Sequence, residues 1–287
     1  MTVIDLFVAI YHHDAEEISR ILTASPELMT QCFPNDDKRH TSTNELYDRC
    51  NKDTILNDPH YRQEDALLFS ARLGRKEACE QLISLGANVN TVNIYGHNAF
   101  MSAVENYTIA NFDTALMILA QPSLNLKHRS CGKYDALGQT MKRMKLLGSK
   151  QELLAYKVQE LIVALIDKKQ VDPKTGEETP AFDLNRPQGK NGETAFILAC
   201  ESHNWIVAVY LIYKGADYST EAPFLYCKRD MYSALTSNRF FPPAAKEKVL
   251  QLIEEAITAV DNKYGPYKRP EHLYTEIEGS PCKFETE

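Results

Sequence analysis

Nowhere does the sequence hold an apolar run near the roughly 20 residues that a membrane-spanning helix needs. No span is expected. Its opening residues, Met1 to Asp5, have no basic stretch, and Asp5 interrupts the apolar run, so no secretory signal is expected there. A surplus of positive charge is also missing. Lys and Arg number 32 against 39 Asp and Glu, a net charge of -7. Such a chain has no general field to gather nucleic-acid phosphates, so nucleic acid is not expected as its partner. Tryptophan occurs once, as Trp205. The seven cysteines are scattered and odd in number, and Cys79 and Cys200 fall inside apolar helical patterns. That usage points to free thiols in a reducing compartment rather than a disulfide framework, and to a cytoplasmic location. No P-loop, G-x-S-x-G, H-E-x-x-H or G-x-G-x-x-G context occurs.

What the sequence does have is a period. From Asp65 to Asn93 a short helix carrying Ala66, Leu67, Phe69 and Ala71 is broken at Gly74. A second helix follows with Ala78, Leu82, Ile83 and Leu85 on one face, and Gly86-Ala-Asn-Val-Asn90 ends it. The next unit opens with Gly96-His-Asn98-Ala99-Phe100, continues through a second helix near 113–120, and closes on Leu124-Asn125-Leu126. A later unit restates the opening as Gly192-Glu-Thr194-Ala195-Phe196 and the ending as Gly215-Ala-Asp217, with Trp205 to Tyr213 as its second helix. Ala71 to Ala103 is 32 residues and Asn90 to Asn125 is 35.

These residues resemble the ankyrin repeat, with its period of about 33 residues and Gly-x-Thr-Pro-Leu-His-x-Ala opening. The chain departs from that pattern where Ala99 and Ala195 stand for the Pro, and Met101 and Ile197 for the His. The resemblance implies an all-α solenoid of about six helix pairs with finger loops, over residues 1–260. Weaker pairs fall at Leu6–Leu22, at about Ala136–Leu147 with Gln151–Lys168, and at Met231–Leu235 with Pro243–Val260. No pair can bury its apolar face alone, so the core comes from stacking. A charge at Leu82 or Phe196 is expected to cost several kcal/mol.

Two insertions break the period, at about 30–64 and 169–190. The first is polar, and the second reads as a lengthened hairpin. About three surplus residues lie in 104–111. Residues 261–287 leave the repeat as an extended acidic tail. Irregular repeats, long insertions and a glutamate-rich end are similar to ankyrin-repeat effectors of intracellular bacteria, which would act in a host cytosol.

The resemblance further implies a protein partner, held by the fingers and the concave end of the first helices, and a monomer. The site residues it picks are Tyr95, His97, Met101, Glu105 and Asn106, with Arg186, Lys190 and Asn191 on a later finger. Arg62, Glu64 and Arg72 fall near another finger. For all these charges the alternative is a solvated face, and for Trp205 it is packing against a neighbouring helix as against partner contact. No cofactor is implied. Cys32, His40, Cys50 and His60 are metal-capable types, but their spacing lacks the tight pairs of structural zinc sites, and none is expected. Cys32 or Cys131 with His40 or His128 would be the nucleophile and base of an enzyme built from the insertions, a reading set behind the adaptor and the effector.

Overall fold

The computed structural model describes residues 1–33, 49–50, 62–106, 108–144, 152–171, 175–202, 204–217 and 251. Most of the first insertion, all of the expected closing helix pair except residue 251, and the acidic tail lie outside these residues. The chain divides into two compact units, Met1–Phe182 with Gln188–Lys190, and Asp183–Pro187 with Asn191–Glu287.

Among the described residues the first unit holds four helix pairs. They are α1 (Val3–Tyr11) with α2 (Ala15–Ala24), α3 (Ala66–Arg72) with α4 (Lys76–Ser84), α5 (Ala99–Ala103) with α6 (Ile109–Leu119), and α7 (Ala136–Met144) with α8 (Glu152–Asp167). A short 3₁₀ turn, Pro26–Thr30, follows α2. Within each pair the helices pack together. Between pairs, α1, α3, α5 and α7 form one layer, while α2, α4, α6 and α8 form the other. Among the described residues the second unit holds the pair α9 (Ala195–Glu201) and α10 (Trp205–Tyr213).

Helices this short do not persist in water by propensity alone, so their ends are closed by side chains and tight turns. Thr2, Asp14, Asp65, Asn98, Thr108 and Asn204 each accept the backbone N–H three residues on. At the other end the chain turns through a left-handed residue. His13 (φ 58°) and Gly74 (φ 68°) do this after the first helix of a pair, and Gly86 (φ 98°) and Gly215 (φ 91°) after the second. The following N–H then reaches back five residues, as in Asp14 to Ala9, Arg75 to Ser70, Ala87 to Leu82 and Ala216 to Leu211.

The apolar faces meet between layers. Phe7, Phe69, Phe100 and Phe112 are fully buried, and the Phe7 and Phe69 rings stack at 4.6 Å. Leu82 and Phe196, expected in the core, are both fully buried. Cys32, Cys50, Cys79 and Cys131 are free thiols.

One boundary differs from the sequence reading, and one expected element is found. Helix α6 begins at Ile109, earlier than expected, because Thr108 caps it and Asn111 enters its first turn. Part of the surplus in 104–111 is therefore helix. In the second insertion, β1 (Lys169–Val171) pairs antiparallel with β2 (Glu178–Pro180), the hairpin the turn residues imply.

Candidate functional site

Three of the four described pairs of the first unit, those opening with α3, α5 and α7, present a tight turn just before the first helix. In residues 93–97 the Asn93 side chain accepts the N–H groups of Tyr95 and His97, both at 3.0 Å. The backbone closes the same turn through Asn93 and His97 and through Gly96 and Asn93. Gly96 has φ 70°, and a Cβ there would lie 3.0 Å from the Cys131 backbone nitrogen. Both its conformation and its closeness to the next finger require glycine.

The equivalent turn residue in the preceding repeat is Gln63 (φ 52°), and in the following repeat Lys133 (φ 64°). Adjacent fingers are joined by backbone. Cys131 N–H donates to Tyr95 at 2.9 Å, and His128 Nε2 lies 2.8 Å from the Gly96 carbonyl. Further along, Asn90 Nδ2 donates to the Ser123 carbonyl, and its Oδ1 accepts from Asn125 N–H.

Behind the 93–97 finger lies a chain of buried charges. Glu64 accepts from Arg72 Nη2 at 2.8 Å and from Arg62 Nε at 2.7 Å. Arg62 Nη2 also donates to Glu105. The Arg62, Glu64 and Arg72 side chains are only 3%, 0% and 1% exposed. Neither partner contact at a finger nor a solvated face describes these three residues. With Glu105 they form an internal ion network whose two cations and two anions balance.

Desolvating four charges is costly. Each is offset by bidentate or shared hydrogen bonds, which hold the groups in one geometry. The Arg62 guanidinium also sits 5.0 Å from the centre of the Tyr95 ring, so the network supports the finger from within. Burial works to raise the Glu105 carboxyl, but His97 and Arg62 outweigh it and hold the group down at about 2. His97 Nδ1 lies 3.7 Å from Glu105 Oε2.

The other site residues picked from the sequence separate accordingly. Tyr95 is exposed. His97 is buried beneath it, and Met101 is fully buried in α5, where its side chain is core and presents nothing to a partner. Asn106 Nδ2 donates to the Arg72 carbonyl at 2.7 Å, and buried Asn111 donates to the same carbonyl at 2.9 Å. Both are thus drawn into closing the end of α3.

Lys190 is exposed in the first unit. In the second, Arg186 is half-buried and Asn191 is exposed, its Nδ2 3.4 Å from Glu193. Trp205 opens α10, and its side chain lies outside the described residues.

His128 and Cys131, weighed as base and nucleophile, both engage the neighbouring finger. The Cys131 Sγ lies 3.6 Å from the Ile94 carbonyl. His40 and His60 lie outside the described residues. Burial raises the Cys32 thiol and pushes Cys50 to about 11.

Sequence reasoning picked Tyr95 but missed Val92 and Ile94, the apolar residues exposed beside it. Val92, Ile94 and Tyr95 are 45%, 44% and 44% exposed on one finger. The signal was present in the apolar pattern Val-Asn-Ile-Tyr directly before Gly96.

The recurring turns, the period and the two-layer packing of helix pairs make this an ankyrin-type repeat fold. No protein-family model matches the chain, and no curated protein matches it. Solved structures do. The ankyrin repeat domain of Bcl-3, a member of the IkappaB protein family, matches over 89% of this chain and 85% of its own, at 14% identity and a TM-score of 0.49. The ankyrin repeat protein EF0377 matches over 90% and 98%, at 15% identity and a TM-score of 0.48. Among the described residues no helix is long and apolar enough to cross a membrane.

Proposed function

We propose that the first unit is a protein-interaction module whose docking surface is the finger edge centred on Tyr95. The observation that carries this reading is the outward placement of Val92, Ile94 and Tyr95 on a turn held by hydrogen bonds and backed by a buried ion network. Single exposed apolar residues are ordinary on a surface. Three within four positions of a rigid loop add nothing to the core and expose area that another molecule can cover. A rigid aromatic with an aliphatic neighbour also loses little entropy on binding, which is what a central contact needs. Of the residues picked from the sequence, Tyr95 anchors this surface. His97 and Glu105 act beneath it by fixing the turn.

The test is a quantitative pull-down from cell lysate with the wild type beside Ile94→Ser/Tyr95→Ala. Both changes are on the surface, so the melting temperature should stay close to wild type. His97→Ala is a poorer probe, because it disturbs Glu105. Proteins retained by the wild type and lost from the variant are the expected result. An identical set of retained proteins would remove this finger from the interface.

A further inference from the structure

The finger edge carries a second pattern, one of charge. Residues 86–98 contain no acidic residue, and neither do 121–134 or 188–190. Those three segments hold Lys127, Arg129, Lys133 and Lys190, in a chain with more acids than bases. They are neighbours in space. Cys131 N–H donates to the Tyr95 carbonyl, and Gly189 N–H donates to the Lys133 carbonyl at 3.1 Å.

Lys127, Lys133 and Lys190 are all exposed. Among the described residues, the ion pairs of the first unit leave these three lysines unused. Behind the finger, Glu105 is neutralised internally by Arg62, while the Asp65 and Asp135 carboxylates are buried and tied up in caps and hydrogen bonds. The edge thus sets an apolar tip beside a row of exposed cations, with no carboxylate in the same three segments.

We propose that this edge docks an acidic, extended segment of a partner protein, with an aliphatic or aromatic side chain seated on Ile94 and Tyr95 and carboxylates facing Lys127, Lys133 and Lys190. This rests on the protein-docking reading of the same finger. Complementary charge of this kind chiefly sets the encounter rate and the choice of partner, and it weakens with salt. The apolar tip supplies the contact that holds the complex, because exposed ion pairs alone are weak.

A random peptide display library selected on the full chain tests this. Selected peptides are then synthesised and titrated against the wild type, Lys127→Ala/Lys133→Ala and Ile94→Ser/Tyr95→Ala. Circular dichroism serves as the check on folding. The expected result is enrichment of Asp and Glu beside an apolar residue, with affinity falling about tenfold for the lysine variant at low salt and the difference shrinking as salt rises.

Peptides without acidic enrichment, or acidic peptides that bind the lysine variant as well as the wild type, would overturn the charge proposal. If those peptides still require Ile94 and Tyr95, the docking reading survives alone. Binders indifferent to Ile94 and Tyr95, or no binders at all, would remove both. Oligouridylate and phosphatidylcholine vesicles with and without phosphatidylserine complete the test. Lysine-dependent binding to either polyanion, tighter than to any selected peptide, would replace the acidic segment with a nucleic acid or a membrane surface.

Discussion

Gln188 and Asp135 hold each other by two buried hydrogen bonds: Gln188 Nε2 donates to Asp135 Oδ2 at 2.7 Å, and Asp135 N–H donates to Gln188 Oε1 at 3.1 Å. Asp135 is also the cap of α7, its Oδ1 accepting from Gly138 N–H at 2.9 Å. Residues 53 positions apart thereby fix the start of one helix.

Gly138 makes the space for this clamp, since a Cβ there would lie 2.4 Å from Gln188 Oε1. Replacing a helical glycine with alanine ordinarily gains about 1 kcal/mol. Here Gly138→Ala should instead destabilise, because Gln188 must release Asp135 and leave a buried carboxylate short of a donor, at about 1–3 kcal/mol. In a Gln188→Ala background the same change should become stabilising. Urea unfolding of the two single variants and the double variant measures this sign reversal, and additive effects would refute the steric account.

The finger turns give a second contrast. Gly96→Ala places a side chain at φ 70° and 3.0 Å from the Cys131 nitrogen, and should cost about 2 kcal/mol or more. Gln63→Gly relieves a side chain already held at φ 52°. Its effect should lie between neutral and a gain of about 1 kcal/mol, since glycine's greater freedom in the unfolded chain offsets part of the relief. Denaturation midpoints at unchanged slope would register both. Equal losses at the two positions would mean that the turns are not equivalent.

That equivalence explains how far the sequence could be read. The repeats with Gly96 and Gly192 announce themselves, because the residue in the left-handed turn is the one that fits it best. Where Gln63 and Lys133 occupy the same conformation, the glycine signature is gone, although the period still sets a finger near Arg62 and Glu64. Helix existence survived in the apolar spacing, as in α1 with α2 and α7 with α8. The fate of charged residues did not. Arg62, Glu64 and Arg72 look like a solvated face in one dimension. Their burial depends on Glu105, 41 residues beyond Glu64, arriving to complete the charge balance. Tyr95 could be placed on a finger from the period, whereas Met101 could not be told from a concave contact until α5 was seen packed on both α3 and α7.

The depressed Glu105 carboxyl makes stability depend on acid. Folding favours the ionised form, so its contribution is complete above the ordinary value of 4.5 and is lost as the pH falls toward about 2. The shift corresponds to something on the order of 3 kcal/mol. Glu105→Gln should be less stable than wild type at neutral pH, and the gap should close between about pH 4.5 and 2. Thermal melts across that window measure it. A constant gap would show that Glu105 does not titrate within the network.

The network itself separates pairing from packing. Glu64→Gln removes one anion from between Arg62 and Arg72 and leaves two buried guanidinium groups undercompensated. A loss of about 3–5 kcal/mol is expected. Replacing all four charges together, with Arg62→Met, Glu64→Leu, Arg72→Met and Glu105→Leu, also removes the desolvation cost. The quadruple variant should therefore lose less stability than Glu64→Gln alone, even though it lacks every ion pair. Its finger should nevertheless change, because Tyr95 no longer has Arg62 beneath its ring. The expected pair of results is retained urea stability with an altered near-ultraviolet tyrosine signal. A quadruple variant less stable than Glu64→Gln would mean that the network contributes net stability beyond compensating its own burial. An unchanged tyrosine signal would mean that Asn93 and Gly96 orient the finger without it.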